Sequence, residues 1–416
     1  MIRTRLGYTL LLYALLPRVL WHLLWRARRQ PAYMNNIPER FGYYRQNVKR
    51  PLIWVHAVSV GETRAAAPLV LALRDKYPQH QILLTHMTPT GSETGEALFG
   101  EEVLRSYLPY DYPGAVARFL DHFKPEVGLL METEIWSNLI HGCRQRHIPL
   151  YLINARLSEK SLARYRRFAD LVRTSLRELT AVAAQTGDDA GRLAALGAEN
   201  VTVTGNLKFD IEPPPAQLEL GASWRRSYGD GRPVLLAAST RDGEEEELLG
   251  VLDQINVPSL LTVIVPRHPQ RFDEVAALLE RRGIRFQRRS GNVVIAPETR
   301  VLLGDSMGEM FAYYAACDVA FVGGSLLPFG GQNLIEACAV ARPTLVGPHT
   351  YNFAEATELA IAAGAAVRVD DAREFAREAK RLLDDRNAAA QMAEAARAFS
   401  KAHQGATVRT MELIRF

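Results

Sequence analysis

Three acids and a lysine in the first half of the chain, and a set of glycine-bearing turns in the second, have the residue types and spacing to do chemistry. Glu62 stands in "HAVSVGETRAAAPLVLAL", where an apolar run ends at His56 and a helical pattern begins. Two roles compete for it. An acid near a helix N-terminus is favoured by the dipole, and a carboxylate at that junction can also be held at the mouth of a cleft. "METEIW" puts Glu132 and Glu134 after another apolar run; if that strand persists, its alternating acids point in opposite directions. "TPTGSETG" follows a third run, while "NARLSEKS" and "TGNLKFD" add Arg156 and Lys208.

In the second half, "CDVAFVGGSLLPFGGQNLIEACAVARPTLVGPHTYNF" reads as a strand ending at Gly323 and Gly324, a loop to Gly330 and Gly331, and a helix starting near Gln332. Glycines let a ligand approach the backbone, and free N–H groups at a helix start attract phosphate. Asn333 and Glu336 share a face there: they form a capping box, or Glu336 accepts from ribose hydroxyls. "IVPRHPQRF" sets Arg267 and His268 directly after a strand, where a guanidinium suits a phosphate. "GDSMGEMFAYY" sets Met307, Gly308 and Glu309 at a further helix start. Three such junctions in one domain make a nucleotide site the stronger reading.

The elements that must position these residues follow a regular rhythm. "LIWVHAV", "QILLTHM", "EVGLLME", "PLYLINA", "LTAVAAQ" and "VTVTG" alternate with helical patterns, as do "PVLLAAS", "LLTVIVPRH", "NVVIA", "VLLGD", "VAFVGGS" and "PTLVGP". Continuous apolar strands each followed by a helix indicate parallel sheets covered on both faces. Between the two series, Pro213 to Pro215 read as a stiff extended linker belonging to neither domain. Two α/β domains of similar size are expected to face each other across a cleft at their strands' carboxyl ends.

Length supports two domains, since 416 residues exceed what one core spans. Cys143, Cys317 and Cys338 are far apart within apolar patterns, which suggests neither a disulfide framework nor a zinc site, and fits a reducing compartment. The net charge of +4 is uneven: residues 1–50 hold ten Lys or Arg against Glu39 alone, a net of +9, whereas the other 366 carry 40 basic and 45 acidic residues, a net of −5. The surplus therefore belongs to the N-terminal segment, which argues against a nucleic-acid groove. That segment, "RTRLGYTLLLYALLPRVLWHLLWRARRQPAY", lacks a convincing cleavage site and is interrupted by Pro17 and Arg18. An amphipathic or kinked membrane anchor is expected, with tryptophans at headgroup level, arginines on anionic lipid and the body on the cytoplasmic face; the alternative is a buried helix docked on the first domain.

In order along nearly the whole chain, "VSVGE", "MTPTGSE", "LPYD", "METEIW", "NARLS", "TGNLKFD", "VPRHP", "MGEM", "FVGGS", "NLIEA" and "GPHTYNF" resemble the 3-deoxy-D-manno-octulosonic acid (Kdo) transferases. These move Kdo from CMP-Kdo to the lipid A precursor, lipid IVA, at the cytoplasmic face of the bacterial inner membrane. The resemblance implies an α/β protein of GT-B architecture: two facing Rossmann-like parallel-sheet domains and an N-terminal membrane-associated helix. The expected spans are 1–30 for that helix, 31–212 for the acceptor domain, 213–387 for the CMP-Kdo domain and 388–416 for a C-terminal helix crossing back. It implies inverting transfer with Glu62 as base and with Glu132 and Lys208 stabilising the transition state. The implied CMP site is Pro266, Arg267, Met307, Gly308, Glu309, Asn333, Leu334, Ile335 and Glu336. Glu ordinarily titrates near about 4.3, so Glu62 is expected to be ionised at neutrality and to need position more than tuning. Family members often have histidine where Gln332 stands. No Asp-x-Asp occurs in the chain and a CMP donor leaves only a monophosphate, so no metal and no cofactor are expected. The rival readings are another GT-B nucleotide-sugar enzyme and a non-catalytic nucleotide-binding membrane adaptor.

Overall fold

The computed structural model describes residues 4–229, 231–292 and 294–416, which form two units: residues up to Asp210 with His403–Phe416, and Ile211–Ala402. The first holds β1 (Leu52–His56), β2 (Gln81–His86), β3 (Leu104–Tyr107), β4 (Val127–Met131), β5 (Leu150–Ala155), β6 (Ala181–Ala184) and β7 (Val201–Val203). All are parallel, in the order β3-β2-β1-β4-β5-β6-β7. Helices cover both faces, which is why the strands are apolar without alternation. On β1, Leu52 and Trp54 enter one core, with Phe119, Leu120 and Leu139, while Ile53 and Val55 enter the other, with Leu69, Leu129 and Ile153. The Trp54 ring needs a glycine opposite: a Cβ on Gly128 would lie 2.7 Å from it.

The N-terminal helix, Arg5–Arg29, runs unbroken through Pro17, contrary to the expected interruption. Proline removes one hydrogen bond there, and docking holds the turn: Arg5, Tyr8, Thr9, Leu12, Leu16, Val19, Leu23 and Ala27 form a single buried or half-buried stripe. The Tyr8 hydroxyl donates to Asp111 Oδ2 at 3.0 Å, Thr9 Oγ1 to Asn138 Oδ1 at 3.0 Å, and Tyr112 to the Leu12 carbonyl at 3.1 Å. Leu6, Leu10, Leu11, Leu15, Leu20, Trp21, Leu24 and Trp25 point outward. At the other end of the chain, the helix Ala406–Leu413 starts on Asp210, whose carboxylate accepts from Gly405 N at 2.7 Å and also from Ala406 N and Thr407 N. The preceding helix, Arg386–His403, lies almost wholly within the second unit, so the return begins about fifteen residues later than residue 388.

The second unit holds β8 (Val234–Thr240), β9 (Leu261–Pro266), β10 (Phe286–Arg288), β11 (Val301–Leu303), β12 (Val319–Val322), β13 (Thr344–Val346) and β14 (Ala366–Arg368). Its order is β10-β11-β9-β8-β12-β13-β14, again parallel throughout. Two expectations fail here. Within "NVVIA", Val294 is 79% exposed and no described residue is a strand, Val293 lying outside the described residues; β11 is paired instead by the preceding Phe286–Arg288. Pro215 is not linker but the first residue of the helix Pro215–Ser227, a position that needs no N–H donor.

Candidate active site

In the first sheet the strand order reverses beside β1, whose neighbours are β2 and β4, and loops at such a switch point line the ligand crevice of open α/β sheets. Glu62 follows the carboxyl end of β1 and Glu132 that of β4. Ser59 caps the helix Val60–Lys76, and its Oγ donates to Glu62 Oε1 at 2.9 Å while Val58 N donates to Oε2 at 2.8 Å. Glu62 is thus a helix-start acid, and both readings of it hold at once, because a carboxylate has about four acceptor positions and two remain open. At 9% exposure it pays for that place. Burial pushes the carboxyl up to about 7, the nearby Glu132 and Glu134 add to the rise, and the bonds from Val58 and Ser59 oppose it. The expected full ionisation at neutrality is therefore corrected: this acid is tuned as well as positioned.

Glu132 does not continue its strand. Its φ of +58° turns the chain into the left-handed region, which few residues other than glycine adopt, and its N–H donates to the Ile153 carbonyl at 2.9 Å. The alternating directions expected for "METE" are lost with the strand. Glu132 Oε1 instead meets Lys208 Nζ at 3.3 Å, and Glu134 accepts from the Trp136 indole. Lys208 is set by a relay that single-residue reasoning missed. Asn154 Oδ1 accepts from Leu207 N at 2.9 Å, Gln185 Nε2 donates to the Asn154 carbonyl at 2.9 Å, Asn206 Nδ2 donates to Gln185 Oε1 at 3.0 Å, and Asn206 Oδ1 accepts from Lys208 N at 3.0 Å. The asparagines of "NARLS" and "TGNLK" were the available signal.

In the second sheet, β8 is the reversal strand, between β9 and β12. Arg267 leaves β9 directly after Pro266, and its N–H donates to the Thr240 carbonyl at 2.9 Å. The end of β9 is strongly basic: His268 is driven down by burial first and then by Arg241, Arg267 and Arg271. Met307 is exposed; the Gly308 carbonyl accepts from Gln217 Nε2, and Glu309 Oε1 pairs with Arg289 at 3.1 Å. Asn333 caps the helix Leu334–Ala339, accepting from Ile335 N at 3.1 Å, and its Nδ2 donates to Glu336 Oε1 at 3.2 Å, so the pair does form a cap. Leu334 and Ile335 are core residues that can offer a ligand only their backbone, and six residues make too short a helix for a strong dipole. The amide of Gln332 packs on Gly324.

The residue that shapes the glycine loop is one the motifs did not mark. Glu244, fully buried at the start of the helix Glu244–Ile255, accepts from Arg241 N at 2.8 Å, Gly324 N at 2.6 Å and Leu326 N at 2.9 Å. Its place matches that of Glu62, in the helix after the reversal strand, yet its acceptor capacity is spent on backbone. Glu62 keeps capacity for a substrate hydroxyl. The four acids of "GEEEE" hid which two turn inward, Glu244 to the glycine loop and Glu245 to Thr240 and Arg271. Among the described residues, no three His, Cys, Asp or Glu side chains gather as ligands for an ion.

The catalytic candidates thus share one edge of the first sheet, and the CMP candidates one edge of the second. The family model described as 3-deoxy-D-manno-octulosonic-acid transferase (kdotransferase) matches residues 35–211, and that of glycosyl transferases group 1 matches 284–399. The 3-deoxy-D-manno-octulosonic acid transferase of Bordetella pertussis is 47% identical, with 98% of this chain and 98% of its own covered. The enzyme of that name from Haemophilus influenzae is 38% identical over 99% and 98%. Among solved structures, MurG of Acinetobacter baumannii aligns with a TM-score of 0.56 over 88% of this chain and 99% of its own, at 15% identity, which is likeness of fold alone. This chain, with two Rossmann-like units of the GT-B class, belongs to the 3-deoxy-D-manno-octulosonic acid transferase family of glycosyltransferases.

Proposed function

We propose that the protein moves Kdo from CMP-Kdo to the lipid A precursor, with inversion at the sugar carbon, in lipopolysaccharide biosynthesis. Glu62 is the base: one carboxylate oxygen takes the proton of the acceptor hydroxyl as that oxygen attacks the sugar carbon and the phosphate of CMP departs from the opposite side. The observation that carries this reading is the Glu62 carboxylate itself, fixed by Ser59 Oγ at 2.9 Å and Val58 N at 2.8 Å with acceptor positions left open; burial, which pushes it up to about 7, agrees, since a base with a pKa near the working pH combines a sufficient ionised fraction with the strongest drive for proton uptake. Lys208, held by Glu132 at 3.3 Å, supplies fixed positive charge toward the sugar carboxylate or phosphate. The departing phosphate is received by Arg267, beside the glycine loop whose Gly324 and Leu326 N–H groups Glu244 holds in place. A monophosphate leaving group needs less countercharge than a diphosphate, so these donors act without a metal.

The membrane is met through the N-terminal helix. A helix docked along its length, with polar contacts at Asp111 and Asn138, suits the plane of the interface better than a path through the bilayer, where those groups would be drawn into hydrocarbon. The Leu and Trp side chains on its far side enter the cytoplasmic leaflet. The deciding experiment is mass spectrometry of products from purified protein, CMP-Kdo and lipid A precursor, with Glu62→Gln alongside. The variant should bind CMP-Kdo normally while transfer falls by several orders of magnitude; wild-type-like turnover would remove Glu62 from the role.

A further inference from the structure

A cavity of about 470 Å³ lies within the first unit, between the N-terminal helix and the loops that follow β1, β2 and β3. Val19 and Leu23 of the helix give it an apolar wall with the exposed Trp21 at its rim, and Arg18, Arg26 and Arg40 line it without a single Asp or Glu. Arg40 is the unusual member. It is only 2% exposed, and among the described residues no carboxylate lies within ion-pair distance. Its Nη1 donates to the Met87 carbonyl at 3.2 Å, its guanidinium carbon stands 4.2 Å from the centre of the Tyr107 ring, and Tyr110 lies beside it. Nε and Nη2 have no acceptor in good hydrogen-bond geometry; the Tyr110 hydroxyl engages the guanidinium from the cavity wall and carries no charge to balance it. A buried cation with open donors is costly unless an anion completes it. The next acid along the chain does not serve, because Glu39 is taken up by Ser106 Oγ and Tyr107 N, each at 2.8 Å.

The cavity also reaches a residue that holds the candidate base. Val58 lines it, and Val58 N is the donor to Glu62 Oε2. We infer that this cavity binds a phosphomonoester of the amphiphilic acceptor, with Arg40 as its inner contact, Arg18 and Arg26 at the helix side, and an acyl chain along Val19 and Leu23. The inference rests on the transferase reading for the identity of the acceptor, though not for the anion site itself. It makes Arg40 a specificity determinant: a phosphate on Arg40 fixes which hydroxyl reaches Glu62.

The test compares wild type with Arg40→Met and Arg40→Lys on the lipid A precursor and on the same lipid with its phosphates removed. With the phosphorylated acceptor, Arg40→Met should raise the acceptor KM on the order of 10- to 100-fold, the range of a lost charged hydrogen bond, while the KM for CMP-Kdo stays put and Arg40→Lys recovers part of the loss. With the dephosphorylated acceptor, wild type and variant should be alike. Equal acceptor KM values on the phosphorylated lipid, or an equal loss on both lipids, would make Arg40 a packing residue and overturn the inference. Should Arg40→Met fail to fold, the exposed pair Arg18→Ala with Arg26→Ala should raise the same KM about two- to fivefold, and no change would count against the site. Binding measured without donor separates the sources of the anion: lipid A precursor should stabilise wild type against heat and not Arg40→Met. Equal protection by inorganic phosphate or by phosphatidylglycerol vesicles would refute an acceptor site. This arm judges the cavity even if transfer is absent, in which case the transferase reading alone fails.

Discussion

If Glu62 is the base, the pH dependence of transfer should carry its signature. Its folded-state value of about 7 makes the ionised fraction near one half at neutrality, and one tenth at pH 6. The kcat/KM for acceptor should therefore fall about tenfold from its plateau at pH 6 and about a hundredfold at pH 5. Acceptor phosphates also gain protons near pH 6, so the limb alone does not identify the group. Glu132→Gln identifies it. Removing that negative neighbour, and freeing the charge of Lys208, favours ionised Glu62 and moves the limb to lower pH. A unit charge within ~10 Å at an effective dielectric of ~20 is worth about 1.7 kcal/mol, or roughly one pH unit. Burial is the larger cause and persists, so the limb should stop short of 4.5. The plateau will drop too, but only the limb's position is read, by radiolabelled transfer across pH 5–9 at constant ionic strength. A wild-type limb near 4.5, or a limb that does not move in the variant, refutes the argument.

Glu62→Gln should gain stability where it loses activity. The folded value lies above the ordinary one, so the wild-type acid contributes fully below 4.5 and that contribution is lost as pH rises through about 7; at pH 8 the variant should melt higher, by at most ~3 kcal/mol of stability. Glu244→Gln sets an amide among backbone donors, which should cost at least ~1–3 kcal/mol in denaturant titration and weaken CMP binding in calorimetry; unchanged CMP affinity would separate the loop from the donor site. Excess EDTA should leave transfer unaltered, and activity abolished by it and restored by magnesium would contradict the metal-free mechanism. Serine at Leu6, Leu10, Leu24 and Trp25 should release the protein from liposomes in flotation without loss of fold; retention would place the membrane contact elsewhere.

The fold class was legible because central strands are buried on both faces and so read as unbroken apolar runs, as in "LIWVH" and "TVIV". What escaped reading were edges. "LRSY", "FQR" and "AVR" are strands of three or four residues at or near a sheet margin, half-covered, and their mixed composition carries no period. "NVVIA" shows the converse, a β-like run whose pairing place is taken by its neighbour. In the candidate site, residue types were readable from motifs, whereas function-bearing partners were not: Asn154 with Gln185, or Glu244 with Gly324, are separated by 31 and 80 residues and meet only through the fold. The raised carboxyl of Glu62 was likewise invisible, since it comes from burial and from two acids in the loop after β4.

If it meets a membrane as proposed, a helix fastened flat along its flank would do more than tether. It would fix a height. Asp111 and Asn138, its polar fastenings, follow β3 and β4 at the same rim that presents Glu62 and Glu132. Under the proposed membrane contact, with the outward leucines and tryptophans immersed, that rim would ride at one level over the lipid, and encounter with a bilayer-borne substrate would become a search in two dimensions. The quantity that governs its rate is then the mole fraction of that lipid in the leaflet, not its amount per litre.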